Sequence, residues 1–261
     1  MQHLWLLDMK YQKKIHKAVA VDIWICLNKK KCLLNSNLWV VQRAIHFGVN
    51  FKRHNNYAIK FASKYGYLDI VKYLAQMGAD FKSENNYAVR YAAFRGHLEI
   101  VKYLVYLGAD FRADFNFAVR YAASKGYLNV VQFLIQMGAD FKSGNNFAIR
   151  YAAEGGHLDT VKYLVHLGAD FQADFNFAVR LASEYGHLET VKYLIEIGAD
   201  FQAEDNYAVR WAARNGHLEV VKYLIYLGAD FRARNNFSIY WAYFNRYSKV
   251  VDYLLECGAK L

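Results

Sequence analysis

Histidine and cysteine are the side chains of this 261-residue sequence with the widest range of chemistry, since both bind metals and both act in catalysis. Four of the nine histidines follow a glycine and recur at intervals of 30 or 60 residues: His97, His157, His187 and His217. Metal-binding pairs such as His-x-x-x-His and His-Glu-x-x-His do not occur. Cys26, Cys32 and Cys257 are too scattered for a Cys-x-x-Cys site. The sequence therefore predicts no metal site.

Motifs of the common enzyme and nucleotide sites are also missing from the sequence. It contains no Gly-x-Ser-x-Gly nucleophile elbow, no P-loop and no Gly-x-Gly-x-x-Gly. We therefore expect no catalytic residue, no cofactor and no enzymatic activity. The histidines of the Gly-His pairs are expected to bond backbone carbonyls nearby.

A ladder of cations is the next candidate for a site, because stacked positive charges could follow a phosphate backbone. Its members recur every 30 residues: Lys60, Arg90, Arg120, Arg150, Arg180 and Arg210. They could instead bond loop carbonyls or a matching ladder of aspartates: Asp80, Asp110, Asp140, Asp170, Asp200 and Asp230. Residues 61–261 hold 22 Lys+Arg against 21 Asp+Glu, a net charge of +1. This near-neutral balance favours the structural interpretation and makes nucleic acid an unexpected partner.

The basic charge of the chain is concentrated at its N-terminal end. Residues 1–60 hold 11 Lys+Arg and two acids, which is +9 of the total +10. Four lysines would share one face of a helix, and a Lys triplet follows them: Lys10, Lys13, Lys14, Lys17, Lys29, Lys30 and Lys31. This basic end is interpreted either as a solvated cap or as a site for an anionic partner or an import receptor.

An internal repeat organises the elements that must position these residues. Gly-Ala-Asp begins at six positions spaced by 30 residues: Gly78, Gly108, Gly138, Gly168, Gly198 and Gly228. Within one repeat, the apolar residues from Leu98 to Val105 have the spacing of an amphipathic helix that Gly108 ends. A shorter helix precedes it, with Asn86 predicted as its N-cap. Aromatic residues recur at fixed positions and are interpreted as packing between repeats.

These residues resemble the ankyrin repeat. The resemblance rests on Ala92-Ala93, Gly96-His97-Leu98, Ile100-Val101, Leu104 and Gly108-Ala109-Asp110. It implies an all-α solenoid of stacked helix-turn-helix repeats. The usual period is 33 residues, so a period of 30 predicts shortened finger loops. Tyr87-Ala88-Val89-Arg90 replaces the usual Thr-Pro-Leu-His, and the NNYAVRYAA variant resembles ankyrin-repeat families of mimivirus-type giant DNA viruses.

The predicted domain organisation follows the repeat. Residues 1–37 form a basic cap or degenerate repeat, and residues 38–50 contain the second helix of a partial repeat. Six regular repeats span residues 51–230, and residues 231–261 form a capping repeat in which Arg246, Ser248, Lys249 and Asp252 depart from the pattern.

The resemblance implies a non-enzymatic scaffold that binds a protein partner along its concave face and finger loops. Specificity should lie where repeats differ and face solvent. The candidate residues occupy the loops and the ends of the first helices: Lys82, Glu84, Phe94, Arg95, Arg112, Asp114, Phe115, Asp174, Phe175, Tyr185 and Arg234. Phe115 and Phe175 stand where other repeats have a polar residue, and they are interpreted either as binding anchors or as rings tucked inward.

The remaining expectations concern location and assembly. The longest apolar stretch, residues 18–27, is far below the roughly 20 residues needed to span a bilayer. We expect a soluble, intracellular monomer with a protein partner, which the viral resemblance places in a host cell. Its cytoplasm and its nucleus both stay open, and the alternative function is nucleic-acid or anionic-surface binding through the basic end.

Overall fold

A computed structural model describes residues 38–46, 48 and 50–260. These residues form fifteen α-helices and no strand, which confirms the predicted all-α class. The helices are α1 (Leu38–His46), α2 (Arg53–Tyr65), α3 (Leu68–Gln76), α4 (Ser83–Phe94), α5 (Leu98–Tyr106), α6 (Ala113–Ser124), α7 (Leu128–Gln136), α8 (Ser143–Glu154), α9 (Leu158–His166), α10 (Ala173–Glu184), α11 (Leu188–Glu196), α12 (Ala203–Arg214), α13 (Leu218–Tyr226), α14 (Ala233–Phe244) and α15 (Ser248–Glu256).

The chain divides into two compact units, Met1–Ala113 and Asp114–Leu261. In the first unit, α2 packs on α4, and α1 and α5 each pack on α3. In the second unit, the first helices α8, α10, α12 and α14 pack in succession, and so do the second helices α7, α9, α11, α13 and α15. Each unit therefore has the helix-pair packing of a repeat solenoid.

Small and branched apolar residues at helical spacing make this packing close. In α10, Ala178, Val179 and Ala182 are fully buried, and Val191 and Leu194 of α11 are buried beside them. Because alanine side chains are small, neighbouring first helices approach closely. A leucine equivalent to Leu194 is almost fully buried in each repeat, and its replacement by alanine would cost about 2–5 kcal/mol.

A left-handed turn stands where a longer finger loop would project. Residues 84–86 have φ values of 52°, 54° and 59°, although the residues on either side of them are right-handed. The same three positions are left-handed in the other repeats, for example Asp114 to Asn116 with φ of 58°, 54° and 59°. A left-handed residue with a side chain costs about 1–2 kcal/mol, least for Asn and Asp. The shortened finger is therefore confirmed, and its compactness requires compensating bonds.

The last asparagine of each turn supplies one such bond, and this corrects its predicted role as an N-cap. The Asn86 side chain makes no cap bond to its own helix. Its Oδ1 accepts from the backbone N–H of Asp110 in the next repeat at 2.9 Å. The same bond recurs at 2.9–3.0 Å in the other pairs: Asn56 with Asp80, Asn116 with Asp140, Asn146 with Asp170, Asn176 with Asp200 and Asn206 with Asp230.

The arginine ladder stabilises the turns from inside. Arg180 Nη2 donates to the carbonyl of Asp174 at 3.1 Å, and Arg210 Nη2 donates to that of Glu204 at 2.8 Å. The guanidinium of Arg180 lies 4.9 Å from the ring centroids of both Phe177 and Tyr207, which belong to successive repeats. The predicted bonding to loop carbonyls is therefore correct.

Pairing of the ladder with the Gly-Ala-Asp aspartates is wrong. Those carboxylates accept from the backbone N–H two residues further on, as Asp170 does from Gln172 at 2.9 Å. A short aspartate side chain reaches its own loop more easily than it reaches an arginine on the neighbouring helix. The aspartate ladder therefore shapes its own loop and does not pair with the arginines.

The Gly-His turns also join one repeat to the next. His187 Nε2 lies 2.7 Å from the carbonyl of Glu154, and His97 Nε2 lies 3.1 Å from that of Lys64. Burial lowers the pKa of His157 and of His217 below the usual value. The expected carbonyl bonding is confirmed at His97 and His187, and the imidazoles act as structural links between repeats.

Candidate partner-binding surface

The two unusual phenylalanines of the loops are exposed. Phe115 is 80% exposed and Phe175 is 70% exposed, at the middle position of their left-handed turns. Phe117, two residues after Phe115, instead stacks on Tyr121 with ring centroids 4.1 Å apart. The alternative of rings tucked inward is therefore wrong for Phe115 and Phe175. Both belong to the second unit, and each presents a solvated aromatic ring.

The backbone that carries these rings is bonded to the following repeat. Asn116 and Asn176 each bond the following repeat, at 3.0 and 2.9 Å. The carbonyl of Phe115 also accepts from Ser143 Oγ at 3.2 Å. A ring on a fixed turn loses little freedom when it binds, which favours recognition.

The charged residues predicted for the site lie at the same turns and are partly engaged. Asp114 and Asp174 are exposed. Asp174 Oδ2 accepts from Arg150 Nη1 at 2.6 Å. Arg234 donates through Nε and Nη2 to Asp205 Oδ2 at 3.0 and 2.8 Å. In the first unit, the bond from Lys60 lowers the pKa of Glu84. Glu84, Asp174 and Arg234 therefore have structural partners as well as solvent access.

Lys82 and Arg112 occupy an exposed loop position at which other repeats use the side chain structurally. In the second unit, Gln172 Nε2 donates to the carbonyl of Gly198 at 2.7 Å, and Arg232 Nη2 donates to that of Gly258 at 2.9 Å. Both bonds cap the end of the second helix of the repeat. This structural role explains why the position often holds Lys, Arg or Gln, and no binding of another protein is needed to account for it.

The ends of the first helices are mixed in exposure. Arg95 is exposed, but Phe94 is half-buried against Tyr91, with ring centroids 6.0 Å apart. Tyr185 is exposed, and the nearby carboxylate of Glu154 raises its pKa. In the next repeat Tyr207 donates to Glu184 Oε2 at 2.7 Å. Of these predicted residues, Arg95 and Tyr185 are open to solvent.

Burial limits the use of the arginine ladder by an anionic partner. Arg180 and Arg210 are buried between aromatic rings, so their charge is not available to a phosphate backbone. The lysines of the basic end, Lys10, Lys13, Lys14, Lys17, Lys29, Lys30 and Lys31, lie outside the described residues.

The described residues contain no group of three His, Cys, Asp or Glu side chains that could hold a metal ion. None of the described helices has the length and apolar character to cross a membrane.

Several of the exposed aromatic residues were not predicted from the sequence as parts of a site. Tyr240, Tyr243 and Phe244 of α14 are 58%, 63% and 65% exposed, and Tyr226 of α13 is 84% exposed. A signal was present for two of them, because Tyr240 breaks the arginine ladder and Tyr243 stands where Ala213 and earlier repeats have a small residue.

Comparison with known families agrees with this geometry. The family model for ankyrin repeats (3 copies) matches residues 30–115, 111–176 and 179–261. The chain belongs to the ankyrin-repeat family. A search of curated proteins finds no significant match. Ankyrin repeats generally mediate protein–protein interaction, and proteins built from them are typically non-enzymatic scaffolds.

Proposed function

We propose that this ankyrin-repeat chain is a non-enzymatic scaffold that binds a protein partner through the turns of residues 114–261, with Phe115 and Phe175 as anchors. The observation that carries the proposal is the exposure of both rings on turns whose backbone is fixed. Exposed aromatic anchors on a rigid backbone are typical of the few residues that dominate a protein interface.

Comparison among the repeats indicates that the fold does not need these phenylalanines. Five of the seven turns have a polar residue at the same position: Asn55, Asn85, Asn145, Asp205 and Asn235. Asn and Asp adopt the left-handed conformation more easily than Phe does. The rings also bury little area, so they offset little of that cost within the chain. A role outside the chain accounts for their presence.

Tyr185 extends the proposed surface in the same unit. It follows α10, the helix that also contains Phe175, and it is exposed. Asp114, Asp174 and Arg234 add charge at the turns, where polar groups form the rim of an interface. The predicted residues of the first unit, Lys82, Glu84, Phe94, Arg95 and Arg112, stay candidates for a separate contact.

The test replaces Phe115 and Phe175 together by asparagine, the residue that the chain itself uses at this position. We expect the double variant to keep its fold and to lose a partner that wild type captures from cell extract. Tyr226→Gln is the matched control, because it removes an equally exposed ring from a helix end where another repeat has Gln136. Equal recovery of that partner by wild type and the double variant would remove both rings from the proposal.

The cellular setting forms part of the same proposal. The giant-virus resemblance of the NNYAVRYAA segment supports a partner supplied by a host cell, and the shortage of cysteine supports a reducing compartment there.

The second candidate function rests on the charge of +9 in residues 1–60. It predicts DNA or RNA binding that weakens steeply with salt and that disappears when residues 1–37 are deleted. Filter binding of wild type at low salt tests it, and no binding there would eliminate it.

A further inference from the structure

The second unit shows which residues of a repeat meet the repeat that follows. The guanidinium of Arg210 lies 5.2 Å from the Phe237 ring centroid, and that of Arg214 lies 4.9 Å from the Trp241 ring centroid. Lys222 Nζ lies 5.9 Å from the ring centroid of Tyr253. Ala213 is fully buried, and a Cβ added to Gly216 would lie 2.5 Å from the ring of Tyr247. These five positions define the following face of a repeat.

In the last described repeat the following face has a different composition. The five positions hold Tyr240, Tyr243, Phe244, Arg246 and Asp252. All five residues are exposed, and Leu255 beside them is also exposed. A capping repeat normally presents a polar outer face, whereas this face is rich in aromatic rings. A contiguous exposed apolar patch of this kind marks an interaction site.

The same face is unsuited to another regular ankyrin repeat. Each internal repeat has Ala or Ser, fully buried, at the position of Tyr243. A tyrosine there takes up the space into which the next first helix packs. The preceding repeats have glycine with a positive φ at the position of Arg246. A Cβ added there would lie within 3 Å of a ring of the next repeat at Gly66, Gly126, Gly156, Gly186 and Gly216. A side chain at residue 246 collides with that ring, so the occupant of the face has another shape.

The face carries two charges of opposite sign beside its aromatic rings. A cavity of about 490 Å³ lies in it, lined by Tyr243, Phe244, Arg246, Ser248, Val251 and Asp252. Its two charged residues have opposite signs, and neither forms an ion pair within the part of the chain that the structure describes. In a two-fold symmetric contact the same patch of both copies meets. Each pair of residues across the contact therefore occurs twice, once in each direction. Arg246 of one copy can therefore pair with Asp252 of the other while the aromatic rings are buried between them.

We propose that this face joins two copies of the chain into a symmetric dimer. Tyr240, Tyr243 and Phe244 form its apolar centre, and two Arg246–Asp252 pairs form its rim. The proposed dimer differs from the monomer that the sequence favours. The inference does not depend on the proposed function, because the face shares no residue with the loops of Phe115 and Phe175.

The test is sedimentation equilibrium of the full chain over a range of concentrations. Wild type is expected to dimerise. Tyr243→Ala combined with Phe244→Ser gives the last repeat the residues of Ala123 and Ser124, and this variant is expected to raise the dimer dissociation constant at least about tenfold. Tyr226→Gln, which removes an exposed ring outside the face, is expected to leave the constant unchanged. Circular dichroism spectra like that of wild type establish that each variant is folded.

Charge reversal tests the pairing itself. Arg246→Asp and Asp252→Arg, made separately, each place like charges together and are expected to weaken the dimer, whereas the combined variant restores it. A monomeric wild type at all concentrations, or full dimerisation of the Tyr243→Ala, Phe244→Ser variant, would overturn the proposal. Failure of the combined reversal to restore the dimer would overturn the arrangement of the pairs.

Discussion

Two adjacent asparagines allow the bond between repeats to be measured separately from backbone strain. Asn145 and Asn146 lie in the same turn with φ of 56° and 57°. Asn146 Oδ1 accepts from the N–H of Asp170 in the next repeat at 3.0 Å, whereas Asn145 is exposed. Replacing either by alanine forces alanine into a left-handed conformation, at a cost of about 1 kcal/mol. Asn146→Ala also removes the hydrogen bond, which contributes about 1 kcal/mol more.

We therefore expect a loss of about 2 kcal/mol in the free energy of unfolding for Asn146→Ala and about 1 kcal/mol for Asn145→Ala. Urea unfolding followed by circular dichroism gives both values. Because repeat proteins depart from two-state behaviour, hydrogen exchange in α8 and α10 should accompany it. Equal losses for the two variants would refute the conclusion that Asn146 links the repeats.

Three further predictions concern stability. Phe175→Asn should stabilise the chain by about 0.5–1 kcal/mol in urea unfolding, because asparagine suits a φ of 55° better than phenylalanine does; a loss would show that the ring stabilises the fold. Gly216→Ala should cost about 2–3 kcal/mol and Gly228→Ala about 1 kcal/mol, since both have positive φ but only Gly216 faces a ring of the next repeat; equal costs would contradict the close contact. Burial lowers the pKa of His157 and His217, so their contribution to stability is complete above the usual value of 6.5 and is lost as pH falls through the lowered pKa. Tm measured between pH 5 and pH 8 should therefore decline towards low pH. Tyrosine at both positions, as at the same place in other repeats, should reduce this decline.

Periodicity was enough to predict the helices and their pairing. The 30-residue spacing of Gly-Ala-Asp and the apolar spacing of segments such as residues 98–105 are local signals, and α5 lies where they place it. The period also predicts a short loop, because each repeat is three residues shorter than the usual 33.

The conformation of that loop could not be predicted, because asparagine and aspartate adopt the left-handed conformation as single residues and runs of three are rare. Asn86 is a suitable N-cap by residue type, and only the structure shows that its side chain bonds the next repeat instead. The exposure of Phe115 was equally hidden. Phe115 and Phe117 have the same chemistry, and the direction of the backbone at the turn decides which ring packs.

Site-specific photo-crosslinking tests the proposed scaffold most directly. A photoreactive phenylalanine analogue is placed at Phe115, at Phe175 or at Tyr226, one position at a time, and the products formed in cell extract are identified by mass spectrometry. The account predicts that the first two positions crosslink to one shared protein and that Tyr226 does not. A crosslink to the same protein from Tyr226 alone, or no shared product from Phe115 and Phe175, would contradict it.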